Sequence, residues 1–141
     1  EISIREPMSV EIEYDVLKSD HALDTLCYFV DEYGGTRFVS IDNRHSPWKD
    51  SPRPPGRYRS VCRVPGDLLT EGSVRIHALV NSGGAALHAC EHDAVVFRVV
   101  DDMEPDGVRG NWKAAWPEAS VRAALDWTVE RLGGLGEASG A

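Results

Sequence analysis

No apolar run in this 141-residue chain approaches the ~18 residues a membrane span needs, and the opening EISIREPM lacks the apolar stretch of a secretion signal. A soluble chain without a leader is therefore expected. Cysteine is scarce: Cys27, Cys62 and Cys90 leave one thiol over in any disulfide scheme. Both Cys27 and Cys62 fall in strand-like segments, where a thiol serves as a small apolar side chain, so a reducing compartment is the simpler expectation. Positive charge is in deficit, with 15 Lys plus Arg against 23 Asp plus Glu, and a net −8 repels a phosphate backbone, so nucleic acid is not an expected partner. There is no G-x-x-x-x-G-K-[ST] phosphate loop, no G-x-S-x-G nucleophile turn, and no carboxylate pair that stands out from the acidic background. The run Asp101, Asp102, Glu104 and Asp106 lacks the glycine and terminal glutamate of a calcium loop and reads as a solvated turn. Neither catalysis nor a cofactor is expected.

What is present is strand periodicity. Met8 to Val16 alternates Val10, Ile12, Tyr14 and Val16 with Ser9, Glu11, Glu13 and Asp15, the pattern of a strand with one wet face. Further strands are predicted at Thr25 to Asp31, Thr36 to Asp42, Tyr58 to Val64, Ser73 to Asn81 and Asp93 to Asp101. Tyr33-Gly34-Gly35 should close a hairpin between the second and third, and Ser82-Gly83-Gly84 should form a break. Asn43 to Pro55 holds four prolines, which exclude a central strand or helix interior, and reads as a long loop. Val121 to about Glu130 is read as a last strand, with a helix over Arg122 to Leu132 as the alternative.

The pattern predicts an all-β fold, an antiparallel β-sandwich of immunoglobulin-like or jelly-roll-like type with about seven to eight strands. Residues 1–132 form one domain, and 133–141, with almost nothing to bury, form a flexible tail. The expected core comprises Val10, Ile12, Tyr14, Phe29, Phe38, Ile41, Tyr58, Cys62, Val74, Ile76, Val80, Phe97 and Leu125. Trp127, in the last strand, is also expected to be buried.

If Tyr58, Cys62 and Val64 point inward, the pleat sends Arg57, Arg59 and Arg63 outward, and a partner strand would send out Arg75, His77 and Asn81. Such a basic stripe suits hydroxyls and acidic groups. Alternatively, Glu11, Glu13 and Asp15 simply pair with these arginines on a wet sheet face. Trp48, Trp112 and Trp116 lie in Pro/Gly-interrupted segments, where an indole face can stack on a pyranose ring or can plug one end of the sandwich. His88, Cys90 and His92 alternate in HACEH and would share a strand face, but zinc needs three or four ligands and no second Cys/His pair has metal-site spacing. No metal site is expected.

Three segments resemble a known family. In GRYRSVCRVPGDLLTEGSVRIHALV, Gly56, Tyr58, Pro65, Leu68, Leu69 and Gly72 match a glycine, an aromatic, a strand and a Pro-x-x-Leu-Leu-x-x-Gly turn. HDAVVFRVVDD, from His92 to Asp102, and WPEASVRAALDW, from Trp116 to Trp127, follow in the same order. This order is similar to that of the carbohydrate-binding C-terminal domains of Wzt-type ATPases, which serve ABC transporters exporting O-antigen polysaccharide. The chain departs from that pattern at Ala123, where proline is common, and at Ala119 or Ser120, where glycine is often found.

The resemblance implies non-catalytic binding of O-antigen glycan, coupled to export, by a β-sandwich that forms a homodimer partly through its terminal strand. Its partners would be the polysaccharide and the transporter's ATPase and membrane domains. It would lie in the cytoplasm at the inner face of the bacterial inner membrane, without inserting. Arg59, Arg75 and His77 are the expected contacts to hydroxyl or acidic groups and Trp112 the expected stacking face, with Trp48 and Trp116 as further choices. The competing class is an immunoglobulin-like protein–protein interaction module that binds no glycan.

Overall fold

A computed structural model describes residues 1–44, 46–83 and 86–133. Alternation at Met8–Val16 produces strand β2, which buries Val10 and Val16 while Glu11, Glu13 and Asp15 face solvent. It pairs antiparallel with β5 (Gly56–Val64) from Met8 opposite Val64 to Val16 opposite Gly56. The other layer has five strands: β1 (Ile2–Ser3), β3 (Leu23–Asp31), β4 (Thr36–Ile41), β6 (Gly72–Ser82) and β7 (Ala86–Val100), in the order β1-β7-β6-β3-β4. All its pairings are antiparallel except β1 with β7. The fold is a β-sandwich, as the alternation predicts. Among the described residues no helix is long and apolar enough to cross a membrane.

The β3–β4 hairpin closes where expected. Asp31 Oδ1 accepts from the amides of Tyr33 and Gly35 at 2.8 and 2.9 Å, and Gly34 takes the left-handed conformation (φ 88°) that a side chain would resist.

The Pro65-to-Leu69 connection does something the sequence pattern does not reveal. It carries the chain from one sheet to the other, so β5 and β6 are not neighbours. The connection docks on the residues just after β1: the Asp67 amide donates to the Ile4 carbonyl at 2.9 Å, and a Cβ on Gly66 would lie 2.1 Å from the Arg5 carbonyl oxygen. Leu69 then enters the core.

Val10, Cys27, Phe29, Val64, Val74, Ile76 and Val99 fill the space between the layers, and Phe29 stacks on Phe38 with ring centroids 4.3 Å apart. Ile12, Cys62 and Phe97 pack against this cluster. Of the other expected core residues, Val80 is buried, Tyr14 and Tyr58 are half-buried, and Ile41 and Leu125 are exposed. Ile41 is exposed because it stands three residues from Phe38 in one strand, and the pleat puts such positions on opposite faces. Leu125 is exposed because the predicted last strand does not form, nor does the helical alternative. Val121 makes a single bridge to Leu69, and beyond Arg122 the chain pairs with no strand among the described residues. Trp127, expected in the core, is 86% exposed.

β7 begins earlier than Asp93 because Gly83 (φ 58°) turns the chain tightly back from β6. Most of the predicted tail, residues 134–141, lies outside the described residues.

Candidate functional site

The six expected contact residues fall in three places. Arg59 projects from the outer face of β5, where the antiparallel register sets it opposite Glu13: its Nη2 and Nε lie 2.7 and 3.0 Å from Glu13 Oε1, and Glu11 is 3.8 Å away. Arg57 pairs in the same way with Asp15 at 3.0 Å. The hydrogen bond and charge of Glu13 hold Arg59 above its ordinary pKa. These arginines are therefore matched by carboxylates on the neighbouring strand.

Arg75 and His77 belong to β6 in the other sheet, so they cannot extend the same stripe. Arg75 pairs with Asp93 at 3.3 Å, and the Asp93 amide donates to His77 Nδ1 at 2.9 Å. His92 packs edge-on against His77 and lies 3.4 Å from Cys90 Sγ, while His88 bonds Ser82 at 2.8 Å and packs near His21. The HACEH side chains thus split between two neighbourhoods. Among the described residues no group of three His, Cys, Asp or Glu is placed to hold a metal.

Trp48 sits in the proline-rich loop, edge-on to Tyr58, which in turn stacks on Tyr14 across the β2–β5 pair. Arg53, only 2% exposed, lies beneath the Tyr14 and Trp48 rings and donates to the Leu23 carbonyl, Asp42 Oδ2 and Ser46 Oγ. Asp42 also accepts from Thr25 and Ser60. This network anchors the loop to both sheets and leaves a small cavity of about 190 Å³ beside Trp48 and Arg59.

A cleft of about 660 Å³ lies at the other end of the sandwich. Its walls are the β3–β4 turn with Arg37, the connection residues Thr70 and Glu71, and the segment from Lys113 to Arg122. The bridge Leu69–Val121 and the Arg122 amide bond to the Leu68 carbonyl, 2.7 Å, fix that last segment against the connection. Trp116 lines the cleft with the Arg122 guanidinium 4.4 Å from its ring centroid, a cation–π contact.

Behind the cleft, Asp101 Oδ2 accepts from both Arg109 (2.8 Å) and Arg122 (2.5 Å), with all three side chains at most 5% exposed. Burial would push the Asp101 carboxyl up, but hydrogen bonds from Arg109, the Met103 amide and Arg122 outweigh it and hold the group below its ordinary value. Asp101 is thus a buried keystone and not part of a solvated turn. Arg109 further donates to the carbonyls of Trp112 and Ala114, which sets the wall's path. The Trp112 indole is half exposed, donates to the Ala115 carbonyl at 3.1 Å and does not line the cleft.

Among the described residues, buried Arg122 keeps its Nε without a hydrogen-bond partner, and Arg37 makes only long bonds, 3.4 and 3.5 Å, to carbonyls. Guanidinium donors, the carboxylates of Glu71 and Glu118 and an indole therefore share one open space, an arrangement matched to a ligand with both apolar C–H faces and hydroxyls. Sequence reading singles out Trp116 but misses Arg37, Arg109 and Arg122. Only the position of Arg122 within the WPEASVRAALDW segment hinted at its role.

No family model and no curated protein sequence matches the chain. Among solved structures it is similar to the crystal structure of the C-terminal domain of Wzt, with a TM-score of 0.67 and 9% sequence identity over 92% of this chain and 73% of that one. The chain has the fold of the Wzt C-terminal domain. At that identity the likeness lies in backbone architecture, and two of the three segments that resemble the Wzt family, the Pro-x-x-Leu-Leu-x-x-Gly connection and WPEAS, meet at the Trp116 cleft.

Proposed function

We propose that this chain is a non-catalytic polysaccharide-binding module that recognises O-antigen glycan for an ABC exporter and works in the cytoplasm at the inner face of the inner membrane. The observation that carries this reading is the 660 Å³ cleft, in which the Trp116 indole stands among arginines and carboxylates on a Wzt-type sandwich. The indole offers a stacking face; Arg37, Arg122 and Lys113 donate to hydroxyls or acidic groups, and Glu71 and Glu118 accept from hydroxyls. Trp48 with Arg59, and Arg75 with His77, are secondary contact regions for a chain long enough to leave the cleft.

The module acts as a homodimer. Leu125, Trp127 and Val129 alternate along an extended segment and are 72%, 86% and 97% exposed, the pattern of a strand without a sheet. In a dimer that segment pairs with the other copy, and the ATPase and membrane domains of the transporter are the further partners.

The four indole N–H signals in a two-dimensional NMR spectrum, assigned by single Trp→Phe substitutions, test the site. Titration with polysaccharide should move the Trp116 signal first. Movement of the Trp48 signal alone would transfer the site to the proline-rich loop, and no movement of any signal would favour the protein–protein interaction module.

A further inference from the structure

Cys27 and Cys62 come from opposite layers, β3 and β5, and line one cavity of about 410 Å³ together with Thr25, Ser40, Asp42 and Ser60. Cys62 packs against the core cluster that contains Cys27. Cys27 is 3% exposed, whereas Cys62 is half-buried at the cavity wall, so a small reagent entering from solvent meets Cys62 first. Cys90, the third thiol, lies in β7 beside His92, away from this pair.

We propose that Cys62 and Cys27 form an oxidisable dithiol site, at which a hydroperoxide converts the reduced pair into a disulfide that ties the two sheets together. In the first step the Cys62 thiolate attacks the distal peroxide oxygen and the O–O bond breaks. With one proton, hydrogen peroxide leaves as water and Cys62 becomes a sulfenic acid. In the second step the Cys27 sulfur attacks the Cys62 sulfur, the S–O bond breaks, the Cys27 proton leaves with the hydroxide as a second water, and the S–S bond forms. The two sulfurs together lose two electrons, which the peroxide takes up.

The surroundings favour this division of roles. The neighbouring Cys27 thiol, assisted by Ser40, outweighs burial and holds the Cys62 thiol below its ordinary value, which favours Cys62 as the attacking sulfur. The Cys62 thiol, burial and the charges of Cys62 and Asp42 raise Cys27, which suits it to the second, resolving step. Closing the bond requires the sulfurs to approach to roughly 2 Å across the one cavity that both side chains line. The cavity shares Asp42, Ser60 and Val61 with the Trp48 cavity, so oxidation would also stiffen the anchorage of the proline-rich loop.

The test is intact-mass spectrometry of the reduced domain after treatment with one equivalent of hydrogen peroxide, followed by non-reducing peptide mapping. The expected result is a loss of roughly 2 Da with a Cys27–Cys62 cross-link. That loss should persist in Cys90→Ser and vanish in Cys62→Ser, and the melting midpoint should rise by about 10 °C from the loop closed in the unfolded chain. An unchanged mass, oxygen addition at Cys62 without a cross-link, or a cross-link through Cys90 would each overturn the proposal.

Discussion

Replacing Asp101 by asparagine keeps the shape of the side chain but removes the one carboxylate that Arg109 and Arg122 share. Both guanidiniums are at most 5% exposed, and no other carboxylate is within ion-pair distance of either among the described residues. Breaking a buried ion pair by removing one partner costs about 3–5 kcal/mol. The cleft in front admits water, so ~3 kcal/mol is the figure to expect. For a chain of this length that corresponds to a fall of roughly 10 °C in the melting midpoint at pH 7, readable by circular dichroism.

The effect should depend on pH in a defined direction. The folded-state pKa of Asp101 is depressed, so its contribution is fully present above the unfolded carboxylate value and is lost as the pH falls through the folded one. Wild type and Asp101→Asn should therefore differ most near neutrality and converge in strong acid. Arg5→Ala, which removes pairs to the exposed Asp102 and Asp106, is the control and should shift the midpoint little. A shift below ~3 °C for Asp101→Asn at pH 7, or one that grows on acidification, would refute the keystone role.

Gly66→Ala should lower the melting midpoint by several degrees, because its Cβ would lie 2.1 Å from a backbone oxygen of Arg5 and the connection would have to move away from Arg5. Arg59→Ala should leave the midpoint unchanged, since Arg59 pairs with Glu13 and Glu11 in an exposed region; thermal melts check this. Leu125→Asp combined with Trp127→Asp should turn a dimer into a folded monomer in light scattering, because both apolar side chains are exposed in the single copy.

Much of the fold was legible because a period-2 pattern with one wet face is a local signal. Met8–Val16 begins and ends where its alternation does, and β3 and β4 follow theirs closely. What stayed hidden depended on which strands meet. The short connection at Pro65–Leu69 reads like a hairpin turn, yet Gly66 packs tightly on Arg5 and the chain passes to the other sheet, which separates Arg59 from Arg75 and His77. Glu13 and Arg59 are 46 residues apart, and only the β2–β5 register brings them opposite each other.

The cleft was legible in one indole and illegible in its arginines. Burial of Arg109 and Arg122 rests on Asp101, which in the sequence is one acid among several in a run. The last strand failed for a related reason: Leu125, Trp127 and Val129 have the right alternation, but no strand among the described residues pairs with them.

The most direct measurement is a calorimetric titration of the domain with O-polysaccharide from its own source, with polysaccharide from an unrelated source as control and Trp116→Ala alongside. Saturable heat with the cognate glycan alone, weakened roughly tenfold or more in Trp116→Ala, is the expected result for an indole at the centre of the site. No heat with either glycan at concentrations that detect millimolar binding, or equal affinity in wild type and Trp116→Ala, would contradict glycan recognition in the Trp116 cleft.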